Sequence, residues 1–244
     1  MRVLFLVQSC EKERYLQEEQ IIRETWGKRI RKNCDLIFYR GDGDNTLSGD
    51  VLSLKCPDDL SHTFEKTAKA FSVFAKDLKY DFIIRVNTST WVNVDLLLNT
   101  LETWDCNKRE LYGGYLVNSN SLPFLRGCFL IFTKQVFLDL MESVKEKYYN
   151  GVDDVNISIN LISYYTKIGV EFLKMLRKVE IDRYEENFNN RLFNKAFGIR
   201  CVEYIKDKNN SDVLYEIDKK YLEYKAKKSK KFKGIETHFG VLKF

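Results

Sequence analysis

Two stretches of this 244-residue chain carry side chains whose types and spacing suit chemistry. In the first, an apolar run, Phe82-Ile83-Ile84-Arg85-Val86, leads straight into Asn87-Thr88-Ser89. Hard cations such as Mg²⁺ or Mn²⁺ need anionic oxygens, so a metal held by these three neutral side chains alone is weak. In the second, Asp153 and Asp154 precede an apolar-periodic segment that starts near Val155. Asp is favoured at and just inside helix N-termini, which makes the pair a natural helix cap. Asp42-Gly43-Asp44 is a literal Asp-x-Asp, but it follows a different strand and reads as a turn. Near the end, Lys225, Lys227, Lys228, Lys230, Lys231 and Lys233 form a basic run, followed by Gly234 and by Glu236-Thr237-His238-Phe239-Gly240. Fixed cations of this kind can stabilise a leaving pyrophosphate. The run also fits the solvated face of a terminal helix, or a tail for nucleic acid or anionic lipid.

Composition bounds what the chain can be. With 44% hydrophobic and 14% aromatic residues it can bury a large core, as one domain or as a domain with an appended lobe. No window reaches the run of about 18 apolar residues that spans a bilayer, and Val3 to Val7 is too short for a signal-peptide core, so a soluble, cytoplasmic protein is expected. The six cysteines lack paired spacing, which argues for reduced thiols over zinc. The net charge of +5 is mild and concentrated late in the chain, which suits a local anionic ligand better than a nucleic-acid surface.

The elements that must position these residues alternate in type. Val3 to Val7, Asp35 to Tyr39, Val51 to Leu54, Phe82 to Val86, Leu111 to Val117 and Gly127 to Phe132 read as strands. Helices are expected over residues 13 to 26, 94 to 101, 134 to 149 and 212 to 233. The clearest runs from Leu60 to Leu78, where Leu60, Phe64, Ala68, Phe71, Ala75 and Leu78 share one face. The pattern predicts an α/β fold with a mostly parallel sheet, whose ligands sit at the carboxyl ends of the strands. Gln8-Ser9, Gly41 to Asp44, and Asn87 to Ser89 are such ends.

Several short motifs, in order, resemble the β-1,3-glycosyltransferases, the family that includes the β-1,3-galactosyltransferases and Fringe. Ile22-Arg23-Glu24-Thr25-Trp26-Gly27 matches its Ile-Arg-x-Thr-Trp-Gly signature. Asp50-Val51-Leu52, Asp58 and Lys66-Thr67 fit the ends of its next motif. Arg85 to Asn93 lies over its Lys-x-Asp-Asp-Asp-x-Phe-Val-Asn, with the frame kept and the acids replaced. Gly127 to Thr133 resembles its Gly-Gly-Tyr-Val-Leu-Ser strand, and Gly151-Val152-Asp153-Asp154-Val155 its Glu-Asp-Val segment. The matches cover about residues 1 to 165.

The resemblance implies a GT-A fold over residues 1 to 180, with residues 181 to 244 a small helical, basic lobe packed against it. It implies a soluble inverting glycosyltransferase that moves a sugar from a nucleotide-sugar donor, a UDP-sugar, to a hydroxyl on a glycan or glycosylated acceptor. Asp154 stands where the general base is expected. Donor contacts are expected from Gln8, Ser9, Arg23, Asn87, Ser89, Lys231, Lys233 and His238, and acceptor contacts from Tyr112, Tyr115 and Asp153. The family's Mn²⁺ or Mg²⁺ sits on an Asp-x-Asp motif that is atypical here, leaving Ser89 and His238 as its weak ligands and favouring little or no metal dependence. The alternative is a degenerate relative that binds a nucleotide sugar, a glycan or a protein partner without turnover.

Overall fold

The computed structural model describes residues 1–114, 116–119, 122–144, 151–179, 181–183, 193–200 and 210–236. In chain order the strands are β1 (Val3–Gln8), β2 (Cys34–Arg40), β3 (Thr46–Ser48), β4 (Val51–Ser53), β5 (Phe82–Asn87), β6 (Thr90–Val92), β7 (Leu111–Gly113), β8 (Leu116–Ser119), β9 (Leu122–Leu125), β10 (Phe129–Thr133), β11 (Leu176–Lys178), β12 (Ile181–Arg183) and β13 (Gly198–Arg200). The helices are α1 (Glu13–Glu24), α2 (Thr63–Ala75), α3 (Val94–Leu101), α4 (Lys134–Ser143), α5 (Asp153–Lys167) and α6 (Asn210–Glu236).

Eight strands form the main sheet in the order β11-β7-β10-β5-β1-β2-β4-β3. Its centre is parallel, with β1 between β2 and β5 and β4 alongside β2, and β11 runs parallel to β7 at the other end. β10 runs antiparallel to both β5 and β7. The expected α/β fold with a mostly parallel sheet is what the chain forms.

The central strands are apolar on both faces because both are covered by helices. Side-chain alternation sends Val3, Phe5, Val7, Ile84 and Val86 to one layer, shared with Ile21 and Ile22 of α1, Leu97 and Leu98 of α3, and Leu214 and Ile217 of α6. Leu4, Leu6 and Ile83 face the other layer, with Phe64 and Phe71 of α2, Phe137 of α4 and Leu161 of α5. Trp26 and Trp91, both wholly buried, lie in the first layer.

Two sequence expectations shift. The helix read from Leu60 begins as a short 3-10 turn, Leu60–His62, because the Asp59 carboxylate accepts the Ser61 and His62 amides and reorients the chain before α2. Leu60 is left 74% exposed although its spacing places it on the buried face. The strand read over Leu111 to Val117 divides: β7 joins the main sheet, whereas β8 leaves it to pair with β9.

Candidate functional site

The carboxyl ends of β1 and β5 lie side by side, with Leu6 opposite Arg85 and Gln8 opposite Asn87. Alternation points these polar side chains to the face covered by α2 and α5. There the N-terminus of α5 brings up Asp153 and Asp154, and the turn before β10 brings up Arg126 and Gly127. Between them opens a cleft of about 430 Å³. Its polar wall is Gln8, Arg85, Asn87, Arg126, Asp153 and Asp154, and Leu60, Phe124 and Val152 add an apolar rim.

A buried guanidinium organises the cleft. Arg85 is 2% exposed and pairs with Asp153 Oδ2 at 2.6 Å. It also donates to Asn87 Oδ1 at 2.5 Å and to Gln8 Oε1. Thr67 donates to Asp153 Oδ2 at 3.2 Å, and its hydroxyl is bonded to Tyr39 Oη at 3.0 Å. Burial pushes the Asp153 carboxyl above the usual carboxylate range, with the Arg85 charge pulling the other way. Burial also pushes the Tyr39 phenol up to about 12.

Asp154 has different surroundings. It is half-buried, and its Oδ2 accepts the Gly127 amide at 2.9 Å while Oδ1 accepts the Val155 amide at 2.8 Å. It therefore braces the first turn of α5 and still faces the cleft, so capping and chemistry coexist in one carboxylate. Gly127 permits a close approach: a Cβ there would lie 3.2 Å from Asp153 Oδ1 and 3.3 Å from Arg85 Nη1.

Of the residues singled out from sequence, Gln8, Asn87, Asp153 and Asp154 come together at this cleft. Others lie elsewhere. Arg23 does not line it: its guanidinium forks onto Asp50 at 2.7 and 3.0 Å, reaches Glu19 at 3.2 Å and lies over the Phe38 ring. Tyr112 is a packing residue, 8% exposed and stacked on Trp104 at 3.9 Å, with its hydroxyl on Glu110. Ser9 is buried behind the cleft, where its carbonyl takes Lys66 Nζ at 2.7 Å and Lys66 pairs with Asp58. Thr88 turns inward to Glu18, and Ser89 is half-buried in the same turn without lining the cleft. Lys231 and Lys233 lie on α6 with side chains outside the described residues, as are Tyr115 and His238.

These positions do not fit a divalent ion at the Asn87-Thr88-Ser89 frame. The Asn87 oxygen is taken by Arg85, the Thr88 hydroxyl points away, and a buried cation already occupies the cleft wall. Among the described residues no three His, Cys, Asp or Glu side chains form a metal-holding group. Asp42 to Asn45 form a turn, with Asp42 and Asn45 at positive φ and the Asp44 carboxylate accepting the Thr46 hydroxyl at 2.6 Å.

Arg85 and Arg126 line this cleft although no motif marks them as site residues. Arg85 carried a signal: an arginine inside a strand apolar on both faces must have partners, and those partners are the site.

Neither a family model nor a curated protein matches the sequence. Solved structures similar to this chain include a glycosyltransferase involved in the glycosylation of the major capsid of PBCV-1, at 9% identity and TM-score 0.46, over 88% of this chain and 98% of that one. The galactosyltransferase LgtC in complex with donor and acceptor sugar analogs is similar at 9% identity and TM-score 0.46, over 89% and 95%. The glycosyltransferase GlyE of Streptococcus pneumoniae TIGR4 is similar at 12% identity and TM-score 0.46, over 88% of this chain but 59% of its own.

Proposed function

We propose that this chain is a glycosyltransferase of GT-A type that transfers a sugar from a nucleotide donor to a hydroxyl acceptor with inversion. The observation that carries the reading is the cleft at the carboxyl ends of β1 and β5, with a half-buried carboxylate, Asp154, on one side and a buried guanidinium, Arg85, on the other. This is where α/β sheets of this kind bind ligands. Its size, about 430 Å³, suits a sugar with part of its nucleotide.

In this reading Asp154 takes the proton of the acceptor hydroxyl as its oxygen attacks the anomeric carbon, and the nucleoside diphosphate leaves from the opposite face. Asp154 is held in place by the Gly127 and Val155 amides, so little reorganisation accompanies the step. Gln8 and Asn87 contribute polar contacts to the donor. Leu60, Phe124 and Val152 form an apolar surface against which a sugar face can lie. Arg23, Ser9, Ser89 and Tyr112 do not line this cleft, and the side chains of Lys231 and Lys233, like Tyr115 and His238, lie outside the described residues.

A second reading is favoured by the same carboxylate. Both Asp154 oxygens already accept backbone amides, which leaves fewer lone pairs for an acceptor hydroxyl. Under it the cleft binds a nucleotide sugar without turning it over.

Thermal denaturation with a panel of nucleotides and nucleotide sugars tests the donor site, since a ligand that binds only the native state raises its stability. A rise with at least one nucleotide sugar is expected, and none with any would contradict both readings. Product analysis then separates them: released nucleoside diphosphate identifies the transferase, and donor recovered intact identifies the binder.

A further inference from the structure

Two buried hydrogen-bond donors on residues that line the cleft have no acceptor. Arg85 Nη1 and Nη2 serve Asn87, Gln8 and Asp153, yet Arg85 Nε is buried without a partner. Gln8 spends its carbonyl oxygen on Arg85, which leaves Gln8 Nε2 buried and also without a partner. A buried unsatisfied donor costs about 1–3 kcal/mol, so two at one cleft call for an acceptor-rich ligand. Arg126, exposed at the opening, adds a second guanidinium to the same cleft. A diphosphate supplies negative charge and many acceptor oxygens, and arginine binds phosphate through paired donors.

We infer, resting on the donor-site reading above, that Arg85, Gln8 and Arg126 form a diphosphate-binding floor that takes the place of a divalent metal, so that the donor's diphosphate is bound and released without one. The Asp153 carboxylate and the Asn87 oxygen hold the Arg85 guanidinium in place between β5 and α5. A fixed cation in the cleft can neutralise a leaving diphosphate as an ion does, and needs no reorganisation. Arg85 is then the cation at the strand end, in place of an acidic triplet that would bring one from solution. Asn87 keeps the frame and serves the guanidinium.

Calorimetric titration of the full chain with UDP, GDP, ADP and inorganic pyrophosphate, each in EDTA and again in Mn²⁺, tests this. At least one nucleoside diphosphate should bind with the same Kd, within about twofold, under both conditions. Arg85→Lys keeps a charge opposite Asp153 but loses the fork, and Arg126→Gln is an exposed change that leaves the core untouched. Each should weaken binding about tenfold, equal to about 1.4 kcal/mol. Paired removal, Arg85→Met with Asp153→Asn, avoids a lone buried charge and should abolish binding, with circular dichroism reporting the fold. Binding that appears only with Mn²⁺ overturns the inference and leaves the donor site standing. Metal-independent binding indifferent to Arg85 and Arg126 also overturns it. No binding of any nucleotide under either condition removes the donor-site reading itself.

Discussion

Asp153 and Asp154 are neighbours in the chain with opposite surroundings. Asp153 is 5% exposed and paired with Arg85, whereas Asp154 is half-buried and faces the cleft. Removing the charge of Asp153 leaves the Arg85 guanidinium buried without its counter-ion, so Asp153→Asn should lower stability by about 3 kcal/mol in urea denaturation. An unchanged midpoint would mean that the pair contributes nothing to the fold. Gly127 acts through position. An added Cβ would press on both aspartates and on Arg85 at 3.2 to 3.3 Å, so Gly127→Ala should displace them by a few tenths of an ångström. The expected result is a drop of about tenfold in kcat with the melting temperature nearly kept, since small misplacements at a reacting centre cost rate before stability. At this scale the sequence was half legible. The Asp pair and the Asn87 frame could be found from type and spacing. Arg85 could not be assigned a partner, because Asp153 lies on a distant element, and Tyr112 could not be told from a sugar-stacking ring, because Trp104 meets it only in the fold.

Among the elements, the 3-10 turn Leu60–His62 sets one lip of the cleft, and Asp59 holds it by accepting the Ser61 and His62 amides at 2.8 and 3.1 Å. Hydrogen bonds from Ser61 and His62 draw the Asp59 carboxyl from 3.8 down to about 2. A carboxyl with a depressed folded value contributes stability above its unfolded value and loses it as the pH falls toward the folded one. The contribution of Asp59 should therefore be full above about pH 4 and fade toward pH 2. Melting curves of the protein and of Asp59→Asn should differ at neutral pH and converge over that window; a difference that grows on acidification would contradict the assignment. Helical elements were well legible, α3 to the residue, because their apolar period is local. The split between β7 and β8 was not. One apolar run crosses it, and only the long-range pairing of β8 with β9 divides it.

For the whole molecule, α6 decides whether the chain closes into one body. Its Val213, Leu214 and Ile217 enter the same apolar layer as β1 and β5, and Asp218 ties Arg29 and the Trp91 indole N–H, the latter at 2.9 Å. The first half of α6 is thus built into the core. Asp218→Ala strips both partners of their acceptor and should cost about 3 kcal/mol, read as a lower urea midpoint with an unchanged slope. A separate, earlier unfolding step for α6 would contradict a shared core. Among the described residues no helix is long and apolar enough to cross a membrane. The sheet was legible from its apolar runs, whereas the docking of α6 was hidden behind its lysines. What the molecule does turns on whether the cleft of β1, β5 and α5 performs chemistry. Release of nucleoside diphosphate from a nucleotide sugar, compared between the protein and Asp154→Asn, measures this most directly. Turnover by the protein is expected, with a loss of about a hundredfold or more in Asp154→Asn and donor affinity kept. Equal turnover in both would contradict that expectation.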